Sequence, residues 1–200
     1  MHSNPTDLSR REMILSSAAM LLAANLAWAS DPKDTPTMTT GNATGTGTPG
    51  EFSFLDGNWK IKHRRLKTPG PAAATKEWDE FEGEATCWSI LGGVGSLEEL
   101  RIPSRNFAGM GLRLLDVEKK IWNDFWVNGK SGVLTTPGQT GGFENGVGTF
   151  GADDMDGDKP IKVKGVWDRI TPNSCRWWQA VSWDDGKTWE ENWFMDWTRA

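Results

Sequence analysis

Beyond residue 57 the apolar positions of this chain recur every second residue, the period of an extended strand, with almost no helical periodicity. Over residues 58–66, Trp59, Ile61, His63 and Arg65 alternate with Lys60, Lys62, Arg64 and Leu66, and the Trp59 face is assigned to the interior. The last run repeats the pattern more strongly. Trp189, Glu191, Trp193, Met195, Trp197 and Arg199 share an apolar face opposite Glu190, Asn192, Phe194, Asp196 and Thr198. Further runs predict strands over 78–90, 97–102, 109–116, 120–128, 132–135, 142–150, 161–170 and 176–183. Asp116-Val117-Glu118-Lys119 and Asp184-Asp185-Gly186-Lys187 read as turns. About ten short strands joined in sequence predict an all-β fold, a single antiparallel up-and-down β-barrel, because closure removes the exposed sheet edges.

One segment breaks the alternation. Residues 13–27 are apolar or small apart from Asn25, and Ser9-Arg10-Arg11-Glu12-Met13-Ile14-Leu15 opens them. The run is too short and mild to stay in a bilayer, and Ala27-Trp28-Ala29 supplies a small-residue cleavage site. Residues 1–29 therefore read as a twin-arginine signal peptide, which implies a periplasmic or secreted protein that crosses the membrane folded. A general secretory signal that carries two arginines is the plainer alternative. No cysteine at the cleavage site invites a lipid anchor, and no later run is long enough for an integral membrane segment in the mature chain. Residues 30–50 are Thr, Gly, Pro and Asp with almost nothing apolar, and are expected to form a disordered linker. Residues 51–200 then make one domain with a full core.

The formal charge is -5, from 22 basic and 27 acidic residues. That balance argues against a nucleic-acid partner, which needs a basic face. The compositional outlier is aromatic: 13 Trp and 8 Phe with no Tyr. Indole buries a large area and carries one donor that wants a partner. The surplus reads either as a core that uses Trp where others use Leu or Tyr, or as an aromatic-lined cavity. Cys87 and Cys175 are open to a disulfide in an exported protein, whereas folding before export favours two buried free thiols.

Phe54-Leu55-Asp56-Gly57-Asn58-Trp59-Lys60 resembles the Gly-x-Trp start of the calycin superfamily, the lipocalins and fatty-acid-binding proteins. The resemblance implies a barrel whose end is plugged by Trp59, with Arg199 from the last strand packed over it. A guanidinium on an indole face is a favourable cation–π contact. Residues 52–199 resemble more closely an uncharacterised bacterial family, number fifteen-seventy-nine among the domains of unknown function. The segments that carry this are Asp56-Gly57-Asn58-Trp59 through His63-Arg64-Arg65-Leu66, Phe81-Glu82-Gly83, Ile90-Leu91-Gly92-Gly93, Leu112-Arg113-Leu114, Phe143-Glu144-Asn145-Gly146-Val147-Gly148, Ile170-Thr171-Pro172, Trp177-Trp178-Gln179-Ala180 and Thr188-Trp189-Glu190-Glu191-Asn192-Trp193. The resemblance implies a calycin-like barrel and no established activity.

Three motifs reduce to local structure. Ser182-Trp183-Asp184-Asp185-Gly186-Lys187-Thr188-Trp189 matches the Asp-box of sialidases and related propellers, but it occurs once, in a domain too short for a propeller, and reads as a hairpin turn. Asp153, Asp154, Asp156 and Asp158 resemble a calcium loop, yet Lys159 and Gly165 stand where an EF-hand needs Gly and Glu. Gly92-Gly93-Val94-Gly95 lacks the Lys-Ser/Thr of a phosphate loop and reads as a bend.

The candidate chemistry is polar side chains that alternation places inside an apolar barrel: His63, Arg65, Arg113, Gln179 and Glu191. Burial is costly for such groups without partners. They read either as a self-satisfied network or as the polar anchor of a cavity. The ligand-binding set is then His63, Arg113, Gln179 and Glu191 with Trp122, Trp126, Trp167, Trp177 and Trp193, around a small, partly apolar molecule. One alternative is an enzyme that uses this cavity, with His63 or Glu191 as acid or base. Another is a cell-envelope interaction module with a packed interior. His63 is the sole histidine after the signal and no metal spacing is visible, so no metal or other cofactor is predicted. Axial haem ligation by His63, as in calycin-like nitrobindin barrels, is the exception considered.

Overall fold

A computed structural model describes residues 46–200. The twin-arginine segment, its cleavage site and residues 30–45 of the expected linker lie outside the described residues. The strands are β1 (Gly57–Leu66), β2 (Trp78–Ile90), β3 (Gly95–Ile102), β4 (Phe107–Asp116), β5 (Ile121–Asn128), β6 (Gln139–Glu144), β7 (Val147–Asp156), β8 (Lys159–Asp168), β9 (Ser174–Ser182) and β10 (Glu190–Arg199). Each pairs antiparallel with its sequence neighbours, and β10 returns to β1, so the expected all-β, ten-stranded up-and-down barrel is the fold. Closure leaves no unpaired sheet edge.

The strand assignments need three corrections. Residues 142–150 are not one strand. β6 ends at Glu144 and β7 starts at Val147, and Asn145 (φ 52°) and Gly146 (φ 78°) form the turn between them. Two left-handed residues are what a two-residue hairpin loop requires, and Asn-Gly is its usual sequence. Residues 132–135 form no strand, since Leu134 makes only an isolated bridge to Val127. In β10 the register to β9 shifts between Glu191 and Trp193. The extra residue keeps Trp193, Met195 and Trp197 inside, buries Asn192 too, and leaves Glu191 exposed outside.

One end of the barrel is closed by β1, β10 and the chain that precedes them. Trp59 is buried, and its Nε1 donates to the Leu55 carbonyl at 2.6 Å. The Arg199 guanidinium lies 4.1 Å from the Trp59 ring centroid and donates to the carbonyls of Phe54 and Asp56. Phe52 and Leu55 are fully buried beneath this lid. The described residues begin inside the expected linker, at Thr46, which bridges to Phe143. Gly47 donates to the Lys120 carbonyl at 2.6 Å, and a Cβ there would stand 2.5 Å from Leu115 and 2.7 Å from Trp122. Backbone hydrogen bonds anchor the first residues of this strap, and Phe52 and Leu55 bury the rest of it in the core.

Cys87 and Cys175 are free and buried, and burial raises both thiols, Cys175 to about 12. The Asp-box segment is a self-bonded turn. Asp184 accepts from the Ser182 hydroxyl and from the Thr188 hydroxyl and N–H, Ser182 Oγ accepts from the Gly186 N–H, and Gly186 takes φ 86°. The Thr188 and Ser182 hydrogen bonds hold the Asp184 carboxyl down at about 2.

Candidate functional site

At mid-height the barrel encloses a cavity of about 110 Å³ between β3, β4, β5, β6, β8, β9 and β10. Two inward glycines sit at this wall, Gly111 among the lining residues and Gly165 behind Trp177 and Gln139. A Cβ on Gly165 would lie 3.0 Å from Trp177 Nε1 and 3.2 Å from Gln139 Oε1. One on Gly111 would lie 3.2 Å from Arg113 Nη2 and 3.3 Å from Glu98 Oε2. Indoles of Trp126, Trp167, Trp177, Trp193 and Trp197 form most of the wall, with Met195.

The polar part is a three-residue charge cluster. Arg113, on the inner face of β4, is only 4% exposed. Its Nη2 donates to Glu98 Oε2 at 2.5 Å, and its Nε stands 3.6 Å from Asp124 Oδ2. The Phe52 and Trp167 rings flank the guanidinium, with centroids 5.1 and 5.2 Å from Cζ. Burial alone would lower the Arg113 pKa, but Asp124 and Glu98 outweigh it and hold it above its ordinary value. Burial pushes the Asp124 carboxyl up to about 6; Arg113 opposes this and Glu98 adds to it.

Several buried donors of the lining residues make no hydrogen bond within the protein: Arg113 Nη1, Trp167 Nε1 and Trp197 Nε1, while Arg113 Nε has only its 3.6 Å contact with Asp124. A buried donor left unsatisfied costs about 1–3 kcal/mol. The lining residues on the side where β5 and β6 part are partly exposed. These strands share three register pairs, ending at Asp124↔Gln139, beyond which residues 129–138 meet β5 through the Val127–Leu134 bridge and the Thr135 N–H to the Trp126 carbonyl. Asp124, Phe125, Trp126 and Gln139 line this side.

Of the residues expected around a ligand, Arg113, Trp126, Trp167, Trp177, Gln179 and Trp193 line the cavity. Gln179 also donates to Asn192 Oδ1 at 3.0 Å. Trp122 does not line it. Its buried ring packs edge-on to Phe52 at 5.0 Å, and its Nε1 donates to Glu51 Oε2 at 2.8 Å. Glu191 is on the outer surface for the reason given by the β10 shift. His63 stacks on Phe81 at 4.5 Å and accepts from Trp193 Nε1 through Nδ1 at 3.2 Å. Its Nε2 abuts Gly83, where a Cβ would come within 2.6 Å. Neither ring nitrogen faces open space, so the residues present do not fit a haem iron at His63, and neither His63 nor Glu191 can reach a molecule in the cavity. Burial, then Arg105 and Arg65, lower His63 to about 3, which keeps it neutral. Arg65 stacks over Trp193, 4.6 Å from the ring centroid.

Glu98, Asp124, Gln139, Met195 and Trp197 were not among the expected ligand contacts. The signal for Asp124 was present: it stands between Trp122 and Trp126 on the face that alternation had already turned inward. Among the described residues, no group of three or more His, Cys, Asp or Glu is placed to hold a metal ion, and no helix is long and apolar enough to cross a membrane. No family model and no curated protein matches the chain. The closed ten-stranded barrel is consistent with a calycin-like fold.

Proposed function

We propose that the protein binds a small, partly apolar molecule in the barrel cavity, the indoles holding its body and the Arg113 cluster its polar end. One observation carries the reading: buried donors without protein acceptors surround an interior space. A barrel interior evolved only for packing would fill such a space or pair such groups. The volume of about 110 Å³ suits a molecule of one ring or a short chain, well below the ~300–1,000 Å³ of drug-sized sites.

The test is titration of tryptophan fluorescence with benzyl alcohol. Saturable quenching that disappears in Gly165→Val, with the circular dichroism of the barrel kept, supports the reading. No quenching by any one-ring probe rejects it in favour of a packed interaction module. The proposal includes export to the periplasm or beyond, supported by Arg10-Arg11 and Ala27-Trp28-Ala29. Replacing both arginines with Lys then retains the protein in the cytoplasm, and unchanged export rejects the twin-arginine route.

A further inference from the structure

We propose that the cavity takes a small planar carboxylic acid, bound as the carboxylate, and that binding loads one proton onto Asp124. This rests on the cavity reading and names its ligand class. The unpaired buried atoms of the cavity wall are all donors: guanidinium N–H of Arg113 and indole N–H of Trp167 and Trp197. A carboxylate brings two oxygens with about four lone-pair sites and no donor, and pairs best with a guanidinium. An ammonium would pair with Asp124 or Glu98 but leave these donors without an acceptor. Flat indole walls and the small volume select a planar body and exclude a long acyl chain.

Charge accounts for the proton. Arg113 already faces two carboxylates, Glu98 and Asp124. A third would meet like charge at short range unless one of them is neutralised. Glu98 is the firmer partner, 4% exposed and 2.5 Å from Nη2. Asp124 is 19% exposed, 3.6 Å from Nε, and stands on the partly exposed side. It is therefore the group that gives way, and burial has already brought its carboxyl to about 6. The charged groups that face it are Arg113 from β4 and Glu98 from β3, while β6 presents the uncharged Gln139. Once protonated, Asp124 adds a hydroxyl donor on that side.

The experiment is calorimetric titration with benzoate, benzyl alcohol and benzylamine at about pH 5.5 and about pH 8, where benzoate stays ionised. Each is run in two buffers of different ionisation enthalpy, so that proton uptake is read directly from the wild-type protein. Expected are benzoate binding at least about tenfold weaker at the higher pH, net uptake of a fraction of a proton that approaches one, and benzyl alcohol binding insensitive to pH. Asp124→Asn, which mimics the protonated acid, makes benzoate binding independent of pH. Benzoate affinity that does not change with pH in the wild type, a slope that survives in Asp124→Asn, or benzylamine that binds more tightly than benzoate at about pH 5.5 each overturns the proposal. Binding of benzyl alcohol without benzoate overturns it too, while the cavity reading stands; failure of all three probes takes both.

Discussion

Arg113 and Glu98 show how one buried pair constrains its neighbourhood. Both side chains are about 5% exposed or less, so removal of either leaves an uncompensated charge inside the barrel. Arg113→Ala is expected to lower stability by about 3–5 kcal/mol in urea unfolding, and Arg113→Met with Glu98→Leu to recover most of that loss. His63 and Asp124 set opposing pH dependences. His63 sits at about 3 when folded against an ordinary 6.5, so between those values the unfolded chain binds the extra proton and stability falls as pH drops. Asp124 sits at about 6 when folded against 3.8, so there the folded chain binds the proton and stability rises as pH drops through that window. Each contributes a slope of up to about 1.4 kcal/mol per pH unit, and the two offset where they overlap. Denaturant midpoints measured from about pH 7 to about pH 4 check this. Asp124→Asn steepens the loss on acidification, and His63→Gln, which keeps an acceptor for Trp193, flattens it.

Two glycines on the β6–β7 hairpin separate backbone conformation from space. Gly146 takes φ 78° and a Cβ there meets nothing within 4 Å. Gly146→Ala therefore costs only the left-handed backbone penalty, about 1 kcal/mol. At Gly141 a Cβ would lie 1.9 Å from the Thr149 carbonyl oxygen of the paired strand. Gly141→Ala must push β6 from β7 and is expected to lower the melting temperature far more than the turn variant does. A Gly141→Ala protein that melts with Gly146→Ala would contradict this packing. The hairpin also shows why alternation missed its own turn: Phe143 and Val147 place apolar residues on both sides of Asn145-Gly146, so period alone ran through it. The β10 shift is the same kind of failure. A single inserted residue leaves composition and local pattern unchanged and reverses which side Glu191 faces.

At the scale of the molecule, the strap over residues 46–56 is part of the barrel. Compared with a chain that starts at Thr46, one that starts at Gly57 loses Phe52 and Leu55 from the core and the carbonyls that Arg199 and Trp59 bind. Loss of two large core side chains costs about 4–10 kcal/mol, comparable to the whole stability of a domain. Matching thermal transitions for the two truncations would remove the strap from the fold. Strand direction and closure were legible in the sequence because the two-residue period and the turn residues are local properties of the chain. So was the inward side of most strands, which is why Arg113, Gln179 and four of the indoles could be named before their cavity was. The count of ten held because the strand lost at 132–135 offset the one gained by splitting 142–150. What the tertiary structure decided is which inward groups meet. Arg113, Glu98 and Asp124 come from three strands, and His63 faces Gly83 rather than open space, through registers that no local pattern encodes. Whether a buried polar group is satisfied by the protein or left open to a ligand depends on atoms placed across the barrel, far away along the chain.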